Sequence, residues 1–375
     1  MKKIPQSLLL NNSISKLFIL LFVLFIIPLL TACASLSEKQ SDSSSLKHVI
    51  ILIGDGMGFE QIKAAGLYLN GKGNSLTMET FPYQAELKTA SANSPITDSA
   101  AAATAIATGV KVNNSVISVQ IPGDYKELET ALEYHKARQR RTGLVTTTFI
   151  THATPAAFGS HTYSRKNFSE IASDYLNESL PNILFGGINK GGITKEAATT
   201  AGYTVVTDLK SLQTLDTDKV EYVSGQFGKG HMPYEFDGVG DLPHLSQMTS
   251  KALDILDNDP DGFFLVVEGG KIDHSGHSND IEKNIREIEE FDKAVQTVLE
   301  WASERKDTLI IVTADHETGG LKVISENGVG KTPTVSWSTE EHTAANVPIY
   351  AWGYGAEKIR GVMENTDLFP ILIDN

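Results

Sequence analysis

The chain has 375 residues, with 32 Lys plus Arg set against 46 Asp plus Glu, and a net charge of −14. No basic stripe offsets that charge, which excludes nucleic acid as a partner, because such binding needs clustered cations that displace counterions. A single cysteine, Cys33, excludes disulfides.

Residues 1–32 read as a targeting segment to be set apart from the fold. Lys2, Lys3 and Lys16 make its basic part, and the apolar run over 17–30 falls short of the about 20 residues that a bilayer span needs. The run ends in Leu30-Thr31-Ala32-Cys33, which looks like a bacterial lipobox. Cleavage is expected before Cys33, with lipid on that cysteine and the protein held at a membrane, facing an extracytoplasmic space. Ala34, rather than aspartate, points to the periplasmic side of the outer membrane in a Gram-negative host. An ordinary signal peptide with an incidental cysteine is the alternative. Residues 33–46 are polar and serine-rich and read as a flexible tether. Without the leader's three lysines the mature protein carries about −17.

From residue 47 to 375, short apolar runs alternate with helical patterns. That alternation predicts one α/β domain, a three-layer α/β/α sandwich around a mostly parallel sheet. Strands are expected at 49–53, 143–149, 263–267, 308–313 and 347–352, all continuously apolar as strands buried on both faces are. The strongest helix covers 281–301, where Ile281, Ile285, Ile288, Phe291, Val295 and Val298 recur every three or four residues. A second amphipathic helix is expected over 126–141, with a basic end that suits a helix C-terminus. Residues 181–243 are glycine-rich and read as connections or a small irregular cap over the site.

Thr97-Asp98-Ser99 opens a run of four alanines. A helix should start there, capped by Thr97 or Asp98. Ser99 then lies among unpaired amides at the positive end of the helix dipole, a place for an anion and for phosphate first of all. Asp55 lies past the first strand, Thr154 past the second, Glu268 at the end of the third, and Asp315 and His316 past the fourth. His342 comes shortly before the fifth. Polar groups thus gather at one sheet edge, where open α/β sheets bind ligands.

Asp273 and His277 are four apart, which puts both on one face of a helical turn and suits two ligands on one zinc, although a solvated turn has the same composition. Asp315 and His316 can both serve only if the backbone turns, and Gly319 and Gly320 allow that. Taken alone, Asp315 also reads as a helix N-cap, and His342 as an exposed loop histidine. Taken together, the histidines and aspartates suit zinc, whereas the oxygens of Asp55, Thr154 and Glu268 suit magnesium.

These segments resemble the alkaline phosphatase family over residues 48–353. The resemblance is carried by Asp55-Gly56-Met57-Gly58, Thr97-Asp98-Ser99-Ala100-Ala101 and Thr151-His152-Ala153-Thr154-Pro155-Ala156. It continues through residues 161–165, 267–277 and 313–320 and through Glu341-His342-Thr343. It implies hydrolysis of phosphate monoesters, with inorganic phosphate as product, and Ser99 as the nucleophile that becomes phosphorylated. Asp273, His277 and His342 would hold one zinc; Asp315, His316 and Asp55 would hold the other. Asp55 would bridge to magnesium, completed by Thr154 and Glu268. Arg165 would grip two phosphoryl oxygens through its planar fork. Family members are commonly homodimers, which the resemblance extends to this chain.

His152 and His274 depart from the best-known bacterial members, where aspartate and lysine are usual, and stand closer to the animal enzymes. Both are expected to act through hydrogen bonds rather than direct metal contact, and they leave the third metal's identity open. The nearest rival is a phosphodiesterase of the same superfamily. A sulfatase would need a Cys/Ser-x-Pro-x-Arg motif, which does not occur. A phosphate-binding surface lipoprotein without turnover is the rival from another class, against which Ser99 and the full ligand set argue.

Overall fold

The computed structural model describes residues 45–373. The leader, Cys33 and nearly all of the expected tether lie outside that range. The folded unit starts at Leu46, which is buried in the core, so the domain begins one residue before the expected boundary.

The strands in chain order are β1 (His48–Ile53), β2 (Tyr83–Lys88), β3 (Arg141–Phe149), β4 (Ile183–Ile188), β5 (Thr204–Val206), β6 (Val223–Lys229) and β7 (Phe263–Glu268). They continue with β8 (Thr308–Thr313), β9 (Glu317–Thr318), β10 (Lys322–Ser325), β11 (Thr334–Ser336), β12 (His342–Thr343), β13 (Val347–Gly353) and β14 (Val362–Glu364). Ten form one sheet in the order β14-β2-β13-β8-β1-β7-β3-β4-β6-β5. Neighbours run parallel except at β13, which is antiparallel to both β8 and β2. The helices are α1 (Phe59–Asn70), α2 (Ser99–Thr108), α3 (Ala131–Lys136), α4 (Ala153–Gly159), α5 (Phe168–Asn177) and α6 (Lys195–Thr200). After them come α7 (Leu209–Gln213), α8 (Leu245–Leu256), α9 (Lys271–His277), α10 (Ile281–Ala302) and α11 (Leu368–Leu372). The long α10 packs on α8 and α1, and α2 packs on α4.

Register places the site. In the three central strands β1, β7 and β8 every residue is buried, which is why they read as unbroken apolar runs. Ile53 of β1 is level with Glu268 of β7 and Thr313 of β8. Asp55, Glu268 and Asp315 therefore leave the sheet side by side. Because β13 is reversed, its start lies at that same edge, with Ile349 level with Thr313. A residue just before β13 can join residues just after β8, and His342 does.

Two expectations are corrected. No helix spans 126–141: Glu127 bridges to Val119, the Leu128 amide donates to the Ser118 carbonyl, and α3 starts only after Thr130. Thr130 and Glu133 form a reciprocal capping box there, and Gln139 with φ +62° ends the turn before β3. Residues 181–243 are not merely connections, since they supply β4, β6 and β5 to the main sheet. Four of the ten glycines that suggested irregularity, Gly186, Gly187, Gly225 and Gly228, lie inside those strands. A Cβ on Gly187 would sit 1.9 Å from the Gly230 carbonyl oxygen, so this strand needs glycine for close backbone approach.

Candidate active site and metal centre

Asp98, in extended backbone, caps α2 by accepting the Ala101 amide at 3.1 Å. Of the two candidates for that cap, Thr97 and Asp98, the aspartate fills the role. The same carboxylate accepts the Ser115 amide at 3.0 Å and Arg165 Nη1 at 3.1 Å. One residue thus starts the helix and aims the arginine. Ser99, the first helical residue, is 2% exposed, and its Oγ lies 3.3 Å from His316 Nε2. No histidine is near Ser99 in sequence; the fold brings this one across 217 positions.

Asp273, His277 and His342 offer ligand atoms that lie within 4.8 Å of one another. So do Asp55, Asp315 and His316, and so do Asp55, His152 and Glu268. Asp55 belongs to two groups and joins them. In the first, Asp273 and His277 share one face of α9, and the β9–β12 ribbon delivers His342, stacked on His316 at 3.6 Å between ring centroids. The turn after Asp315 is made by Gly319 and Gly320, with φ of +95° and +57°. Asp315 caps no helix: its Oδ1 accepts the amides of Gly56 and His316 at 3.1 and 2.9 Å. Gly56, with φ +73°, has no room for a side chain, since a Cβ would meet the Asp273 backbone at 2.9 Å.

The groups are built for cations. Asp55, Glu268, Asp273 and Asp315 are four buried carboxylates in one site, none more than 5% exposed. Both Asp55 oxygens, Glu268 Oε1, Asp315 Oδ2 and Thr154 Oγ1 are buried without a hydrogen bond. Such atoms cost several kcal/mol, roughly, unless a cation faces them. Burial, then the neighbouring carboxylates of Asp315 and Asp273, pushes the Asp55 carboxyl well up. Burial lifts Glu268 to about 7 and Asp315 to about 6. At Asp273 burial opposes ionisation, yet hydrogen bonds from His277 and His342 outweigh it and hold the carboxyl well below its usual range. The bond to Asp273 in turn raises His277 to about 9. His277 Nδ1 pairs with the Glu340 carbonyl and His342 Nδ1 with the Thr97 carbonyl, so each Nε2 faces inward, 3.1 Å apart. Two lone pairs at that distance need a proton or a metal between them. A fourth group, Glu235, His244 and Glu290, lies apart and is already paired: Glu235 with His244 at 2.7 Å and Glu290 with Ser246.

His152 accepts from Arg165 Nη2 at 3.2 Å through Nε2, while its Nδ1 is buried and unpaired. His274 joins none of the cation groups and packs against the rings of His231 and His152 at 4.4 and 6.1 Å. His231 is a site neighbour that the sequence reading missed, because a lone histidine after β6 carries no spacing signal. Thr146 and Thr148, which donate to Glu268 Oε2, were missed too, as was Thr318, whose hydroxyl donates to Asp273 at 2.6 Å. Alternation in β3 turns both threonines to the Glu268 side, a pattern visible only once the strand's neighbour is known.

Comparison with known proteins places the fold and the family. The family model described as alkaline phosphatase matches residues 46–190, 185–336 and 322–374. Alkaline phosphatase 3 of Bacillus subtilis (strain 168) is 32% identical, over 98% of this chain and 96% of the relative. Alkaline phosphatase of Escherichia coli (strain K12) is 32% identical, over 90% of this chain and 87% of its own. Among solved structures, the cold-active enzyme of Shewanella sp. superposes with a TM-score of 0.79 at 28% identity, over 87% of this chain and 99% of that one. The alkaline phosphatase of the Antarctic bacterium TAB5 gives 0.76 at 30%, over 88% and 98%. On the family model's match and these identities over nearly the whole chain, this protein belongs to the alkaline phosphatase family of phosphoric monoester hydrolases.

Proposed function

We propose that the chain hydrolyses phosphate monoesters through a phosphoserine formed on Ser99, at a site holding two zinc ions and one magnesium ion. The observation that carries this reading is Ser99 Oγ at the capped start of α2, 3.3 Å from a histidine of a buried cation group. Zinc at Asp273, His277 and His342 is supported by the ligand spacings. The three edges, 3.1, 3.3 and 3.5 Å, suit one face of a tetrahedron whose bonds are about 2.0–2.1 Å long. At the second group, His316 Nε2 stands 3.4 Å from Asp55 and 3.3 Å from Asp315, which suits zinc equally. Asp55, Glu268 and Thr154 offer oxygens to magnesium, and a His152 nitrogen lies close enough to join them. When bound, the cations supply Lewis acidity that lowers the pKa of the serine hydroxyl and of water and offsets charge on the leaving oxygen.

The chain's own groups do the rest. The free amides at the start of α2 face the phosphoryl group, and Arg165 spans two of its oxygens. Asp98 holds Arg165 on one side and His152 on the other, so the fork is oriented before substrate arrives. Acid quenching with labelled phenyl phosphate should leave label on Ser99, and Ser99→Ala should fold yet lose turnover by roughly 10³-fold or more. Label on another residue would overturn the assignment. A strong chelator should abolish activity, and zinc with magnesium should restore it; full activity in protein shown to be metal-free would refute the cation assignment. We also assign Cys33 a lipid anchor on the extracytoplasmic side of a membrane, supported by Leu30-Thr31-Ala32-Cys33.

A further inference from the structure

β9 follows directly on Asp315 and His316, and its first residue, Glu317, is only 6% exposed. Its two carboxylate oxygens take four hydrogen bonds. Oε1 accepts Gln61 Nε2 at 2.6 Å and the Leu321 amide at 3.3 Å. Oε2 accepts the Thr343 hydroxyl, and the Gly320 amide at 3.2 Å. Four donors aimed at two oxygens leave no place for a donor on residue 317, a demand that a carboxylate meets.

The partners come from separate parts of the chain. Gln61 lies on α1 and is buried; its amide also donates to the Thr318 carbonyl at 2.9 Å, so two acceptors fix its orientation. Gly58, just before α1, leaves room for the carboxylate: a Cβ there would sit 2.5 Å from Glu317 Cγ. Thr343 lies on β12, opposite Glu317 in the β9–β12 ribbon, with its neighbour His342 opposite Thr318. That ribbon has two residue pairs and little stability of its own. The carboxylate therefore ties the strand that presents His342 to the helix that follows the Asp55 loop. Thr318, alternating to the other face, reaches Asp273.

We propose that Glu317 is a positioning residue for the Asp273, His277 and His342 group: its carboxylate fixes the backbone that presents His342, so the three ligand atoms are in place before a cation arrives. The proposal rests on the reading of that group as a zinc site. His342 is also held through its ring, by Nδ1 on the Thr97 carbonyl at 2.9 Å. Losing the carboxylate should therefore loosen the site rather than abolish it. Removing a group that orients a ligand commonly costs about ten- to a hundredfold in metal affinity.

The test is zinc affinity, measured on the full chain stripped of metal, by competition with a chromogenic chelator. The wild type should take up zinc at two tight sites. Glu317→Gln should weaken one of them by about tenfold or more, because its NH2 must face either the Leu321 or the Gly320 amide. Thr343→Val, which removes the hydroxyl at nearly constant shape, should weaken the same site. Thr343→Ser, which keeps the hydroxyl, should retain the wild-type affinity. In a His342→Ala background, adding Glu317→Gln should leave the remaining zinc site unchanged, since the effect runs through His342. Unchanged zinc affinity in Glu317→Gln or Thr343→Val, with or without a lower Tm, would make the contact purely structural and overturn the proposal. A further loss in the His342→Ala background would overturn it too. A wild type that takes up no zinc would overturn the metal reading itself, and the proposal with it.

Discussion

Under the proposed mechanism, Arg165 and His277 carry charge for a ligand rather than for the fold. Arg165 is partly exposed and bonded at both ends of its fork, to Asp98 and His152. Arg165→Ala should leave Tm nearly unchanged, weaken inhibition by inorganic phosphate, and lower kcat/KM on monoesters by about ten- to a hundredfold, the size of one charge-assisted interaction. Diesters, whose second ester group blocks the fork, should lose less; an equal loss on both would favour the diesterase reading. As a proposed zinc ligand, His277 would set the pH dependence of metal binding. Its bond to Asp273 raises it to about 9, while zinc needs the neutral ring. Affinity at that group should therefore fall as pH drops below about 9, by about tenfold per unit for each proton displaced. In the metal-free protein the sign is opposite: the raised pKa stabilises the fold below 6.5, and that contribution is lost as pH rises through about 9. Metal-buffered titrations between pH 6 and 9 would measure the first effect, and a flat affinity would disprove it. At this scale most of the site was legible, because i,i+4 spacing and strand-end positions are local facts. His231, Thr146, Thr148 and Thr318 were not, since each matters only through a neighbour more than 40 residues away.

Elements were legible where burial imposes a pattern on the chain. The strand expected at 308–313 is observed at those bounds, and the one at 263–267 runs a single residue further, to Glu268 itself. The α10 stripe is equally clear, because one face must meet α8 and α1 while the other meets water. β2 was missed for the converse reason: five of its six residues are not buried, so no apolar run marks it. The 126–141 helix failed because an apolar period says nothing of where pairing to a neighbouring segment will win, and residues 127 and 128 pair with 119 and 118. β4 failed because Gly186 and Gly187 mimic a loop. Gly187 offers a direct check. Gly187→Ala forces a Cβ against the Gly230 carbonyl and so displaces the turn before His231. The overpacking should cost about 1–3 kcal/mol, lowering Tm and, through the His231–His274–His152 contacts, reducing kcat. Differential scanning calorimetry beside steady-state kinetics would decide it: unchanged values of both would show that the strand has slack the structure does not suggest.

For the molecule as a whole, charge and attachment are linked. A chain with a net charge of −14 is repelled by anionic membrane surfaces and has no basic stripe to bind them. Among the described residues no helix is long and apolar enough to cross a bilayer. Membrane residence would then have to come from lipid on Cys33, and one acyl chain holds only marginally, so more than one is expected on the mature N-terminus. The wild type should stay with the membrane fraction through a high-salt wash, because the anchor is apolar, and should be released by detergent. Cys33→Ser should move activity to the soluble fraction or leave the leader uncleaved, with kcat and Tm unchanged, since the folded unit starts only at Leu46. Mass analysis of the wild-type N-terminus should show acyl chains on Cys33. Absence of lipid there, together with a Cys33→Ser variant that fractionates as the wild type does, would replace the anchored enzyme with an ordinary secreted one.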